Sequence, residues 1–251
     1  MRARSIIIGV VGAHNAGKTT LLTGTYVMAQ RGEQIANARF AGSRSLEAWE
    51  SLAAWTRFDD AARLPSFPPH TPRGFGRTPG LLHVALRGAN DELRDVLLTD
   101  APGEWFMRWA MQRDSPECEG ARWTAENADG FLIVADCMNL SGEERGIARE
   151  STRSLIDRMG DVVDGRPVTF VWAKAEQHPP TGIRKAIENT LAQRIPHATQ
   201  VESRLDQPAT LCSAVGGIVK ACWWPPCGKV SRVPVLSSTP FEAFRGHRDQ
   251  A

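Results

Sequence analysis

Tyrosine is almost missing from this chain, with one residue against eight tryptophans, and the imbalance has no functional reading. An excess of charge is missing too. Thirty basic and 28 acidic residues leave a formal net charge of +2, too little to point to nucleic acid as the main partner. No apolar run approaches the roughly 20 residues that a membrane helix needs. The five cysteines, Cys118, Cys137, Cys212, Cys222 and Cys227, are odd in number and scattered. That pattern fits reduced thiols and a cytoplasmic location. "CWWPPC" (Cys222 to Cys227) offers one cysteine pair, but no second pair and no histidine pair at zinc spacing accompanies it, which argues against a metal site. There is no internal repeat and no low-complexity tract. The start, "MRARSIIIGVVGAHNAGK", has a short apolar run with Gly and Lys where a cleavage site would lie. It reads as a buried first strand rather than a leader peptide.

What is present is an ordinary globular composition, 42% apolar and 23% charged over 251 residues. That is enough for a sizeable core and a single domain over 1–251. "SIIIGVV" (Ser5 to Val11) is a continuous apolar run, the mark of a strand buried on both faces. "KTTLLTGTYVMAQRG" reads as a helix from Lys18, closed by Gly32. "SRSLEAWESLAAWTRF" (Ser43 to Phe58) is helix-like, with Leu46, Trp49, Leu52, Ala53 and Trp55 toward one side. "LPSFPPHTPRGFGRTPG" (Leu64 to Gly80) is a loop by its Pro and Gly content. "LLHVALR" and "LRDVLLTD", joined by "GAND", form an antiparallel hairpin. Further strands are expected at "ADGFLIVADC" (Ala128 to Cys137), "RPVTFVWAK" (Arg166 to Lys174) and "ATLCSA" (Ala209 to Ala214). Helices are expected at "GEERGIARESTRSLIDRMG" and "TGIRKAIENTLAQRI". The alternation of strand and helix predicts an α/β fold, a largely parallel sheet with helices on both faces and one antiparallel hairpin edge strand. The core should span about 5–214, with an insertion over 33–80 and a C-terminal extension over 215–251.

"GAHNAGKT" (Gly12 to Thr19) matches G-x-x-x-x-G-K-[ST] in full, between a buried strand and a helix. Its backbone N–H groups, from Gly12 through His14, Asn15, Ala16 and Gly17 to Thr20, can curl around phosphate oxygens at a helix N-terminus. Lys18 would reach the β and γ phosphates, and the Thr19 hydroxyl would bind Mg²⁺. In "VLLTDAPGE" (Val96 to Glu104), Asp100 falls at a strand end, where a Mg²⁺-binding acid belongs. Gly103 follows at D-x-x-G spacing, where its N–H can approach a γ-phosphate and swing away once that group is lost.

With these motifs the chain resembles a P-loop GTPase of the TRAFAC clade, over roughly Ser5 to Ala214. "FAGSRSLEAW" followed by "PPHT" and "DAPGE" is similar to the bacterial double-GTPase group, whose members are predicted parts of multi-gene conflict or defence systems. The resemblance implies a three-layer P-loop NTPase sandwich, GTP or GDP with Mg²⁺ as ligands, and protein effectors or system subunits as partners. It implies a first-switch Thr that joins Mg²⁺ and γ-phosphate, here Thr71 in "PPHTP", with Thr78 in "GRTPG" as the alternative. A second switch would start at Asp100 and run through "EWFMRWAMQRD". It also implies an N-K-x-D motif for guanine, and that place reads "AKAE" (Ala173 to Glu176). Lys174 can lay its stem over a purine, and Glu176 can stand in for the Asp. Ala173 cannot make the contacts of Asn, which leaves guanine selectivity open. "CSA" (Cys212 to Ala214) matches the last guanine motif through Ser213 and Ala214.

The resemblance puts Glu104 where related enzymes carry a water-orienting Gln. A carboxylate there lies near a developing negative charge, a repulsion that a cation would have to offset. The alternative is that Glu104 braces the following helix. Arg73, Arg77 and Arg108 are candidate internal arginine fingers. Two functional classes stay open: a GTP-hydrolysing switch with slow intrinsic turnover, and a non-catalytic nucleotide-binding scaffold. A third reading, an ATPase or small-molecule kinase, draws on the altered guanine motif.

Overall fold

A computed structural model describes residues 5–54 and 79–223. Seven strands form one sheet: β1 (Ile6–Gly12), β2 (Arg39–Gly42), β3 (Gly80–Arg87), β4 (Leu93–Asp100), β5 (Gly130–Asp136), β6 (Val168–Ala173) and β7 (Thr199–Ser203). Their order is β2-β3-β4-β1-β5-β6-β7. β4, β1, β5, β6 and β7 run parallel, while β3 is antiparallel to β4 and β2 antiparallel to β3. The sheet is therefore mostly parallel with an antiparallel flank, one strand wider than the hairpin alone. The added strand β2 is four residues long and bulged between Phe40 and Gly42, too short to announce itself by periodicity.

Side chains alternate along the central strands between two cores, because successive residues point to opposite faces. In β5, Leu132 and Val134 enter one core and Phe131, Ile133 and Ala135 the other. In β6, Val171 is divided in the same way from Phe170 and Trp172. This two-sided burial is why the sequences of these strands are near-continuous apolar runs, broken by Thr169 in β6 and ended by Asp136 in β5. Each fully buried side chain such as Phe170 contributes about 2–3 kcal/mol.

The first core is closed by α1 (Lys18–Gln30), α2 (Leu46–Ala54) and α8 (Ala209–Cys222). The second is closed by α3 (Gly103–Met111), α4 (Glu119–Asn127), α6 (Arg145–Gly160) and α7 (Thr181–Arg194), with the short α5 (Cys137–Ser141) following β5. α1 ends where Gly32 takes φ 100° and its N–H bonds the Ala29 carbonyl at 3.1 Å, as a left-handed glycine stop requires. Trp49 and Ala53 are the buried residues of α2, while Leu46 faces solvent and Leu52 is half-buried. Trp55 lies outside the described residues.

One expected strand is a helix. "ATLCSA" opens α8. Leu211, Ala214, Val215, Ile218, Val219 and Cys222 are buried at spacings of three and four, a helical stripe that outweighs the look of a short apolar run. α8 packs on α1 and carries the core to Trp223, past Ala214. The last strand is instead β7, "TQVES", an edge strand with one fully buried residue. Cys222 is buried in this core, and burial pushes its thiol up to about 12. Cys227 lies outside the described residues. Among the described residues no cluster of three or more His, Cys, Asp or Glu side chains could hold a metal, and no helix is long and apolar enough to cross a membrane.

Candidate functional site

The strand-to-helix turn after β1 is held in a shape that few sequences tolerate. Asn15 has φ 58° and Gly17 φ 89°, and only glycine adopts the second without steric cost. No side chain caps α1, and its first turn holds no acid. Its leading N–H groups and the positive end of its dipole are thus left to an anion.

Lys18 is only 7% exposed. Its Nζ donates to the carbonyls of Gly12 at 3.0 Å and Ala13 at 2.9 Å. Burial pushes its ammonium down to about 8, against the raising pull of Asp100 and Glu104. A cation held at such a cost inside a loop of amides is suited to a polyanionic ligand.

β4 brings the second motif alongside. Val10 N–H donates to Thr99 Oγ1 at 2.8 Å, locking β1 to β4. One residue on, Thr19 Oγ1 donates to Asp100 Oδ1 at 3.2 Å. A hydroxyl and a carboxylate oxygen side by side fit the donor preference of Mg²⁺. Gly103 then abuts the loop. A Cβ there would stand 2.3 Å from both Ala13 C and His14 N, so the approach of the two backbones requires glycine. Next to it, Glu104 Oε1 lies 3.1 Å from His14 Nδ1.

From this end a cleft of about 380 Å³ runs across the sheet's upper edge. Residues 14–21 and 101–104 line one end, and Met138, Lys174, Glu176, Ser203 and Leu205 lie at the other. Lys174 has φ 57°. Its Nζ donates to the Asn15 carbonyl at 3.0 Å and to Asp136 Oδ2 at 2.7 Å, tying β6 to β5 and to the loop. Ala173 sits below Gly17 with no polar side-chain atom to offer. Ala175 N–H donates to the Ser203 carbonyl at 3.1 Å, which brings the end of β7 to the cleft.

The expected residues therefore divide. Gly12, Lys18 and Thr19 are brought together with Asp100, Gly103 and Glu104, and Lys174 and Glu176 line the far end of the same cleft. Ser213 and Ala214 are not brought in. Both lie inside α8, where Ser213 Oγ donates to the Ala209 carbonyl at 3.0 Å and Ala214 is fully buried in the core. Ser203 and Leu205, and Leu211 of α8, line the cleft on that side. Arg108 is ion-paired with Glu117 and does not line the cleft. Thr71, Thr78, Arg73 and Arg77 lie outside the described residues.

Asp136 was missed by sequence reasoning. It ends the apolar run of β5 as Asp100 ends β4, and that shared signal could have found it. Its carboxylate also accepts from the N–H of Met138 at 2.9 Å and Asn139 at 3.3 Å, so one side chain starts α5 and holds Lys174. Ser203, the last residue of β7, and Leu205 just beyond it carried no signal, because that polar strand has no periodicity to read.

The family described as Double-GTPase 2 matches residues 6–209, from the first residue of β1 to the first of α8. The chain belongs to that family. No curated protein matches it. Membership in a GTPase family implies guanine-nucleotide binding.

Proposed function

We propose that this chain binds GTP in the cleft, hydrolyses it slowly and acts as a switch. The observation that carries the reading is the meeting of Lys18, Thr19 and Asp100 at the mouth of an uncapped helix. In that arrangement the amides of residues 13–19 take the phosphate oxygens, and Lys18 leaves the Gly12 and Ala13 carbonyls for the β and γ phosphates. Thr19 and Asp100 would hold Mg²⁺. When bound there, the ion would neutralise charge on the β and γ oxygens. Gly103 N–H reaches toward the γ-phosphate, and its loss on hydrolysis releases the segment leading into α3. A cytoplasmic protein effector would read that change, together with the first switch around Thr71 or Thr78. At the other end, the Lys174 stem covers the base and Glu176 accepts from guanine N1–H and its amino group.

A competition titration of GTP against ATP in Mg²⁺, followed by phosphate release with each, tests the reading. GTP should bind more tightly. Equal or reversed preference would favour a second reading, an ATPase of relaxed base specificity, which the apolar Ala173 supports. Tight GTP binding with no phosphate release over hours would favour the scaffold. Chelating Mg²⁺ should weaken GTP binding by about tenfold or more.

A further inference from the structure

The reading above leaves Glu104 with a difficulty, because an ionised carboxylate beside a γ-phosphate is repelled by the charge that hydrolysis develops. The structure holds a partner for it. His14 Nδ1 lies 3.1 Å from Glu104 Oε1, with both side chains partly exposed at the phosphate end of the cleft. An ionised carboxylate only accepts hydrogen bonds, so in a hydrogen bond between the two the imidazole would be the donor, through Nδ1–H. We propose that His14 is the positioning residue of GTP hydrolysis: its Nδ1–H holds Glu104 in the orientation that lines up the attacking water. The inference rests on the hydrolysis reading of the cleft.

Two features make the pair more than a chance surface contact. The backbones that carry the two side chains are fixed against each other, since any Cβ at Gly103 would collide with Ala13 and His14 main-chain atoms. The contact thus joins two segments whose backbones already meet, a loop and the first turn of a helix. The donation also draws charge from the Glu104 oxygen that water meets, which reduces the repulsion. The other charged groups at this end are otherwise engaged, Lys18 with the Gly12 and Ala13 carbonyls and Asp100 with Thr19.

In the step itself the water oxygen forms a bond to the γ-phosphorus, and the bond from that phosphorus to the β–γ bridging oxygen breaks. The electron pair leaves with GDP, and the water protons end on inorganic phosphate and solvent. His14 keeps its proton throughout and acts only through Glu104. The competing role for Glu104 is that of an acid in the first turn of α3, which no side chain caps. That role would appear in thermal stability and not in turnover.

The test compares wild type with His14→Ala, His14→Asn, Glu104→Ala and the double alanine variant. Asn places an amide N–H near the position of imidazole Nδ1, so it restores the donor without the ring. Single-turnover phosphate release at saturating Mg–GTP should fall by about tenfold in His14→Ala and recover most of the way in His14→Asn. Affinity for GDP should stay within about twofold, while GDP with aluminium fluoride, which mimics the planar transferring phosphoryl group, should bind about tenfold more weakly to His14→Ala. The double variant should be no slower than Glu104→Ala. A His14→Ala rate equal to or above wild type, additive losses in the double variant, or no recovery in His14→Asn would overturn the positioning role alone. If wild type itself binds no GTP or releases no phosphate, the hydrolysis reading falls first and the inference with it.

Discussion

The two ends of the cleft are built differently. At the phosphate end, one loop and the first turn of one helix supply most of the contacts, and β4 adds Asp100 and Gly103 from the adjacent strand. At the end proposed for the base, Met138 of α5, Ala173, Lys174 and Glu176 at and after the end of β6, Ser203 and Leu205 at and after the end of β7, and Leu211 of α8 line the cleft. The first is a short contiguous segment with fixed chemistry. The second exists only once three strands have lined up. On the proposed reading, phosphate recognition would be local and base recognition distributed over several elements.

The contrast can be broken most severely at Lys18. Replacement by Met should lower GTP affinity by at least about a hundredfold, because the loop loses its only buried cation among the described residues, read by titration. The same variant should melt higher than wild type without nucleotide, since an apolar side chain of similar length avoids the cost of burying an ammonium. The sign with pH follows. Lys18 is held at about 8 in the folded chain against an ordinary 10.5, so between those values the unfolded chain binds the extra proton. This group therefore lets stability rise as pH rises from about 8 toward 10.5, and Lys18→Met should remove that rise.

Gly103→Ala comes next. The added Cβ meets main-chain atoms of Ala13 and His14, which cannot turn aside as a side chain could. A loss of about 2–3 kcal/mol is expected, a melting temperature lower by roughly 5–10 °C. A variant that melts like wild type would mean that the two backbones are free to part.

Legibility in the sequence follows the same division. Three of the parallel strands were readable because β1, β5 and β6 are buried on both faces and so carry near-continuous apolar runs. "GAHNAGKT" and "DAPG" were readable because backbone geometry at Gly17 and Gly103 admits only glycine, which leaves a fixed mark in the residues. β2 is a four-residue edge strand and β7 a short polar one, and the place of each is decided by pairing with a neighbour, a tertiary fact with no local trace. "CSA" misled for a related reason. Two small residues after an apolar one suit the end of a strand as well as the buried face of a helix, and the stripe that continues to Cys222 decides between them.

At the base end, Glu176→Ala should act more gently. It removes the acceptor for guanine N1–H and the amino group while leaving the phosphate contacts intact. The preference for GTP over ATP should shrink by about tenfold through weaker GTP binding, with ATP affinity unchanged in the same competition assay. Equal losses for both nucleotides would mean that Glu176 supports the cleft's shape and does not read the base.

The smallest effect separates motif from place. Ser213→Ala changes the residue that a sequence match assigns to base recognition, yet its hydroxyl donates to the Ala209 carbonyl on the exposed face of α8. Removing a solvent-facing Ser-to-carbonyl bond inside a helix, in favour of the better helix former, should shift stability by less than about 0.5 kcal/mol. Nucleotide preference should not move. Leu205→Ala at the end of β7 is the informative partner, because Leu205 lines the cleft. It should weaken GTP and ATP together by a few-fold, about 1 kcal/mol of lost apolar contact with either base. If Ser213→Ala changes selectivity and Leu205→Ala does not, the base lies against the exposed face of α8 that carries Ser213, and the division of the cleft into a local end and a distributed end fails.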